Sequence, residues 1–157
     1  MSRANGIQIR RAGAADLSRL APLFDAYRVF YGRPSDLAVA RAFLNDRFEH
    51  DQSVVFLAER RAGEVVGEAL GFTQLYPSFS STSVARIFIL NDLYVVPAAR
   101  RTGVATGLLE AAASHGRAVG AVRLSLSTAT GNETAQALYA SRGWVRDTEY
   151  FTYNLLL

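Results

Sequence analysis

The stretch Leu93-Tyr94-Val95-Val96-Pro97-Ala98-Ala99-Arg100-Arg101-Thr102-Gly103-Val104-Ala105 decides how this chain folds. The apolar, β-branched run from Ala85 to Val96 reads as a central strand. Pro97 ends it, since proline cannot donate to a ladder. Gly103 to Val119 then reads as a helix with Val104, Leu108, Leu109 and Ala112 facing inward. A buried strand thus runs through a short loop straight into a helix. The first N–H groups of that helix have no partner within it, and the helix dipole adds partial positive charge there. Such an end holds phosphate well. Gly103 and Ala105 let an anion approach the backbone, and Arg100 and Arg101 add charge. The loop is neither a Walker A loop, which needs a lysine, nor a GxGxxG turn.

Upstream, Ile7 to Arg10 alternates as a first strand, and Asp16 is placed to cap a helix carrying Leu17, Leu20, Leu23, Phe24 and Tyr27. Gly32-Arg33-Pro34 interrupts it, and a second helix starts near Ser35. Ser53 to Arg60 and Val65 to Tyr76 read as strands about a turn at 61–64, and Pro77 to Ser81 reads as a loop. Downstream, Ala121 to Ser127 is a strand, Asn132 to Arg142 a helix stopped by Gly143, and Trp144 to Leu157 is expected to hold one or two closing strands. The expected fold class is α/β (α+β): one domain over 1–157, a mixed, mostly antiparallel central sheet with helices on both faces.

Composition narrows the chemistry. All 17 residues in the lysine-plus-arginine count are arginine, and there is no cysteine. This excludes a lysine Schiff base, a P-loop lysine, thiolate metal sites and a cysteine nucleophile. The arginines are scattered among 14 acidic residues, unlike the basic stripe of a nucleic-acid binder. No apolar run approaches the ~20 residues that span a bilayer, and Met1 to Gly6 lacks the apolar core of a secretory signal, so a soluble, cytoplasmic protein is expected.

Arg100, Gly103 and Ala105 satisfy a pattern that resembles motif A of the GNAT N-acetyltransferase superfamily, Gln/Arg-x-x-Gly-x-Gly/Ala. Asn132-Glu133-Thr134-Ala135-Gln136-Ala137-Leu138-Tyr139-Ala140-Ser141-Arg142-Gly143-Trp144 resembles that family's second coenzyme-binding segment, with tryptophan for its final phenylalanine. The resemblance implies the GNAT fold and acetyl-coenzyme A as co-substrate, with no metal. It implies that Arg101, Thr102, Gly103, Val104, Ala105 and Thr106, with Arg100, hold the pyrophosphate. Leu93, Tyr94 and Val95 would offer backbone groups to the pantetheine arm as if to an added strand, and Asn132 and Ala135 complete the coenzyme set. Arg101 stands where glycine is frequent in the family.

The same resemblance makes Tyr139 the candidate proton donor to the leaving thiolate. Polyamine acetyltransferases of the family often carry Leu-Glu-Asp before the coenzyme strand; here the residues are Leu90-Asn91-Asp92. Asn91 falls on the strand face of Leu93 and Val95, yet an amide is no base. Asp92 falls on the other face unless a bulge re-aims it. The acceptor pocket is expected from the first two helices and the loop after Tyr76, with Tyr27, Tyr31, Asp36 and Tyr76 as lining residues beside Phe30 and Phe79. The acceptor is expected to be a primary amine, of a small molecule such as a polyamine or amino acid, or of a protein. A homodimer is expected through the apolar Leu75 to Ser81 stretch. A non-catalytic acyl-coenzyme A sensor using the same turn is the competing function.

Overall fold

The computed structural model describes residues 3–4 and 6–157, with Met1, Ser2 and Asn5 outside that set. The chain divides into two compact units, Met1–Leu126 and Ser127–Leu157.

The first unit is built on a six-stranded sheet in the order β1 (Arg3–Ala4), β2 (Ile7–Ala12), β3 (Val54–Ala62), β4 (Val65–Ser80), β5 (Ala85–Val95), β6 (Arg123–Ser125). Neighbours are antiparallel except β5 and β6, which run parallel. Strand order follows sequence order: β3–β4 and β4–β5 close through short turns, β2 and β3 are joined by the two-helix segment between them, and the parallel pair takes a crossover helix. That helix is α3 (Val104–Ala118).

Helices cover both faces. α1 (Leu17–Phe30) buries Leu17, Leu20, Leu23 and Phe24, spaced three and four apart, against Val55, Leu57 and Phe72 of the sheet. α2 (Leu37–Glu49) packs on α1 through Leu44, Ala40 and the stacked rings of Phe24 and Phe43, 5.6 Å between centroids. On the other face α3 buries Val104, Leu108, Leu109 and Ala112, the four inward positions its periodicity predicts.

At one sheet margin, the fully buried carboxylate of Glu59 collects three arginines. It accepts from Arg10 Nε (3.1 Å) and Arg61 Nε (3.3 Å), and it pairs with Arg19. Arg10 also reaches Asp16 Oδ1 at 2.6 Å. Asp16, expected to cap α1 with its side chain, instead turns that carboxylate back to Arg10 and to the Gly13 N–H. The guanidinium outcompetes the helix amides, a charge-assisted bidentate pair being the stronger bond.

Two other sequence expectations are corrected. The residues from Pro77 to Ser80 form no loop: β4 continues through them, with Pro77 opposite Phe88. β3 pairs β4 no further than Val54 with Leu75, so Pro77 lies where β4 has one neighbour and its missing N–H breaks no ladder. The turn of this hairpin is Ser81 to Val84 instead.

The second unit contains α4 (Glu133–Ser141), capped by Asn132, whose Oδ1 accepts the Ala135 N–H at 3.2 Å. The expected closing strands are absent from its described residues. Past α4 the backbone makes local bonds, with the Glu149 and Tyr150 N–H groups donating to Asp147 Oδ1. Such a side-chain turn offers backbone groups an alternative to a ladder.

Candidate active site

β5 ends at Val95, and Pro97–Ala99 makes one turn of 3-10 helix. Arg101 (φ +61°) and Gly103 (φ +87°) then take left-handed backbone before α3 begins. Gly103 is the helix cap and brings no side-chain acceptor; the first bond of the helical ladder runs from the Gly107 N–H to the Gly103 carbonyl at 3.0 Å. The N–H groups of Val104, Ala105 and Thr106 are therefore left uncapped at the positive end of a 15-residue helix. Left-handed residues alternating into a helix start form a concave nest of amides suited to an anion. Thr102 Oγ1 donates to the Ala99 carbonyl at 2.5 Å and closes the loop behind it.

Arg100 does not extend as a free charge. Its Nε donates to the Val95 carbonyl at 3.1 Å, and its guanidinium lies 5.9 Å from the Phe30 ring and 6.0 Å from the Tyr94 ring. It joins the turn, the end of β5 and the end of α1. Arg101 is exposed.

β5 has an open margin beside this turn. β6 pairs with it only from Ile87 opposite Arg123 to Ile89 opposite Ser125. Leu93, Tyr94 and Val95 pair with Thr73, Phe72 and Gly71 of β4, and among the described residues no strand takes their other edge. An extended ligand can add there as a strand would. Gly71 permits this architecture. A Cβ on it would lie 2.6 Å from the Tyr94 carbonyl oxygen, 3.2 Å from Val95 Cα and 3.3 Å from Val104 Cγ1.

A bulge lies at the fork. The β4–β5 register passes from Gln74 opposite Asp92 to Leu75 opposite Leu90, leaving Asn91 as the extra residue. The bulge breaks the alternation before Asp92, but from Asp92 onward it holds: Asp92 lies on the α1 side with Gln74 and Tyr94, on the face away from Leu93 and Val95, as expected. Asp92 is 1% exposed; it accepts from Gln74 Nε2 at 2.5 Å and Asn91 Nδ2 at 2.8 Å. Burial pushes its carboxyl above the ordinary range, and the bonds from Asn91, Gln74 and Tyr27 only partly oppose this. Tyr27 donates to the Asn91 carbonyl at 3.1 Å. Burial, then the charge of Asp92, raises the phenols of Tyr27 and Tyr76 far above normal, so both stay protonated donors.

Of the remaining acceptor candidates, Tyr31 is exposed and packs edge-on against Tyr27, 4.9 Å between centroids. Asp36 caps α2, its Oδ1 accepting from the Val39 N–H at 3.0 Å. In the second unit, Tyr139 packs against Trp144, 6.1 Å between centroids. Gln74 and the clip made by Arg100 were not singled out from the sequence. A glycine inside a strand pattern was the signal available for Gly71.

The profile of the Acetyltransferase (GNAT) family matches residues 20–144. An uncharacterized N-acetyltransferase of Bacillus subtilis (strain 168), YhfO, is 46% identical over 149 residues, covering 95% of this chain and 97% of its own. A solved structure of a probable acetyltransferase is 45% identical with a TM-score of 0.88, covering 96% of this chain and 97% of that one. At 21% identity, with 99% and 98% of the two chains covered, the structure of the aminoglycoside N-acetyltransferase AAC(6')-Iy in complex with CoA shares the fold at a TM-score of 0.74. The chain belongs to the GNAT acetyltransferase family and is an acetyl-coenzyme A-dependent acyltransferase.

Proposed function

We propose that the chain, working as one catalytic domain over 1–157, transfers an acetyl group from acetyl-coenzyme A to a primary amine of a small molecule. The carrying observation is the nest of uncapped amides from Arg101 to Thr106 beside the open β5 edge. The nest fits a diphosphate and the edge fits an extended amide-containing arm, so Leu93 to Val95 and Arg100 to Thr106 are assigned to the coenzyme. When bound, the coenzyme supplies an acetyl thioester. Asn132 and Ala135 are assigned to the coenzyme by the family resemblance.

An alkyl ammonium of pKa about 10.4 costs roughly 4.6 kcal/mol to neutralise at pH 7. Asp92, held as an unusually basic carboxylate among Tyr27, Asn91 and Gln74, is the group assigned to take that proton. Asn91 positions it, its amide donating to Asp92 Oδ1. A backbone N–H near Val95 polarises the acetyl carbonyl. As the C–N bond forms and the C–S bond breaks, Tyr139 Oη gives its proton to the leaving sulfur, the role its place in the motif assigns. Tyr27, Tyr31 and Tyr76 surround the acceptor with aromatic faces and hydroxyls, which suits a cationic amine before it loses its proton. Asp36 holds the start of α2 beside them.

The protein is proposed to act in the cytoplasm, since no helix among the described residues is long and apolar enough to cross a membrane. A homodimer is proposed through the exposed tip of the β4–β5 hairpin around Phe79. A thiol-release screen over primary amines, corrected for hydrolysis, tests the transfer. Release stimulated by a polyamine, amino acid or aminoglycoside supports it, and release that no amine stimulates, despite saturable coenzyme binding, overturns it.

A further inference from the structure

α3 borders a second hollow at its far end. Its carboxyl-terminal half, roughly 16 Å along the axis from the amide nest at 1.5 Å per residue, forms one wall of a cavity of ≈ 310 Å³. That volume lies at the lower end of small-molecule sites, roughly 300–1,000 Å³. His115 contributes from α3, Arg11 from β2, Ser53 from just before β3, and Arg86 and Phe88 from β5.

Three features mark the cavity as built for a ligand. First, Ser53 is 7% exposed and its Oγ has no hydrogen-bond partner. A buried hydroxyl left unsatisfied is costly, so it implies a partner supplied from within the cavity. Second, Arg86 makes no ion pair among the described residues. Its guanidinium instead stacks 4.9 Å from the Phe79 ring centroid and 5.8 Å from that of Phe88, which fixes its plane and leaves its N–H groups for an acceptor. Third, the His115 ring packs between Phe56 and Phe88, at 5.8 and 5.5 Å between centroids, and burial followed by the charge of Arg11 disfavours its protonation.

The charge balance selects the class of ligand. With His115 neutral, Arg11 and Arg86 contribute two positive charges and Asp51, on the same lining, one negative. The net single positive charge matches a monoanion better than a dianionic phosphate. Phe88, Val54 and Val119 give the cavity apolar walls.

We propose that this cavity binds a small organic monocarboxylate with an apolar body, the carboxylate taken by Arg11, Arg86 and the Ser53 hydroxyl and the body resting on Phe88 and Val119. The site is separate from the transfer chemistry and does not depend on it. Calorimetric titration of the full chain with benzoate, and separately with inorganic phosphate at equal ionic strength, tests it. Saturable benzoate binding is expected, at least tenfold tighter than phosphate, and weakened at least tenfold by either Arg86→Gln or Ser53→Ala. Both variants should keep the wild-type affinity for acetyl-coenzyme A, which separates this test from that of the transferase reading. In the wild-type chain the His115 ring protons should shift on addition of benzoate, a readout that needs no variant. No saturable benzoate binding, a His115 signal that stays still at saturation, phosphate binding as tight as benzoate, or affinity surviving both substitutions would each overturn the proposal.

Discussion

Gln74 Nε2 lies 2.5 Å from Asp92 Oδ2 across the β4–β5 ladder, one residue from the bulge that leaves Asn91 unpaired. Asp92 and Tyr94 lie opposite Gln74 and Phe72, so the carboxylate sits on the tyrosine-lined side of the sheet, away from the face of Leu93 and Val95. Because burial raises its pKa, the folded protein holds that proton more tightly than the unfolded chain does. Between the ordinary value near 3.9 and the raised one, stability therefore falls as pH rises, while the basic form that the proposed mechanism uses accumulates.

Asp92→Asn should remove both effects. Turnover is expected to fall by about 10²–10⁴, and the acidic limb of the kcat/KM profile should disappear. The melting temperature near neutral pH should hold or rise, since Gln74 can flip and offer the Oε1 that is unpartnered in the native chain. A variant with unchanged turnover would remove Asp92 from the role of base.

Tyr139→Phe tests the proton donor. Coenzyme affinity by calorimetry should stay within about twofold while kcat drops by ~10² or more, the ordinary yield of a positioned acid. The loss should shrink with an acyl donor whose leaving thiol is more acidic. An equal loss with both donors would mean the hydroxyl serves only structure.

Gly71→Ala separates close approach from side-chain chemistry. The added methyl would meet the Tyr94 carbonyl oxygen at 2.6 Å and Val104 Cγ1 at 3.3 Å. β5 and the head of α3 must then shift, and acetyl-coenzyme A affinity should fall at least tenfold. The same substitution at Gly103 meets open space but requires a left-handed alanine, strained by about 1 kcal/mol.

Glu59→Gln probes stability away from the site. Three arginines would face an amide in place of a buried carboxylate, costing about 3 kcal/mol by denaturant unfolding, the low end for a broken buried pair because the arginines are partly exposed. Burial alone would raise the Glu59 carboxyl, but the bonds and charges of Arg10 and Arg19 together hold it below its ordinary value near 4.3, so its contribution is present above that pH and lost as pH falls through the depressed value. The variant should therefore lose least, relative to wild type, in strong acid.

Arg101→Gly replaces a left-handed arginine at φ +61°. Relief of that strain is expected to stabilise the fold by ~1 kcal/mol. Coenzyme affinity should weaken several-fold, more at low salt than at high, because a charge beside the nest is lost. A stability change of the opposite sign would show that the Arg101 side chain anchors the turn.

Much of the fold was legible because its signals are local. The inward set of α3, the stop at Pro97 and the helix that ends before Gly143 follow from spacing and residue type. Four things were not. Whether Pro77 breaks β4 depends on where β3 stops pairing, a fact about a neighbour. Asp16 looks like a helix cap until Arg10 is seen to compete for it. Alternation puts Asp92 on the face away from Leu93 and Val95, as found, but that α1 and its tyrosines cover that face depends on tertiary packing. The cavity at His115 and Ser53 gathers residues from five elements, and no local pattern marks it.

Arg100 ties the loop before α3 to the ring of Phe30, and Phe30 closes the helix that carries Tyr27. Filling the nest and filling the tyrosine-lined face therefore act on one shared clip. The two substrates are expected to bind with coupled affinities, each changing the other's by the same factor. Cutting the clip with Arg100→Met should make their arrival independent.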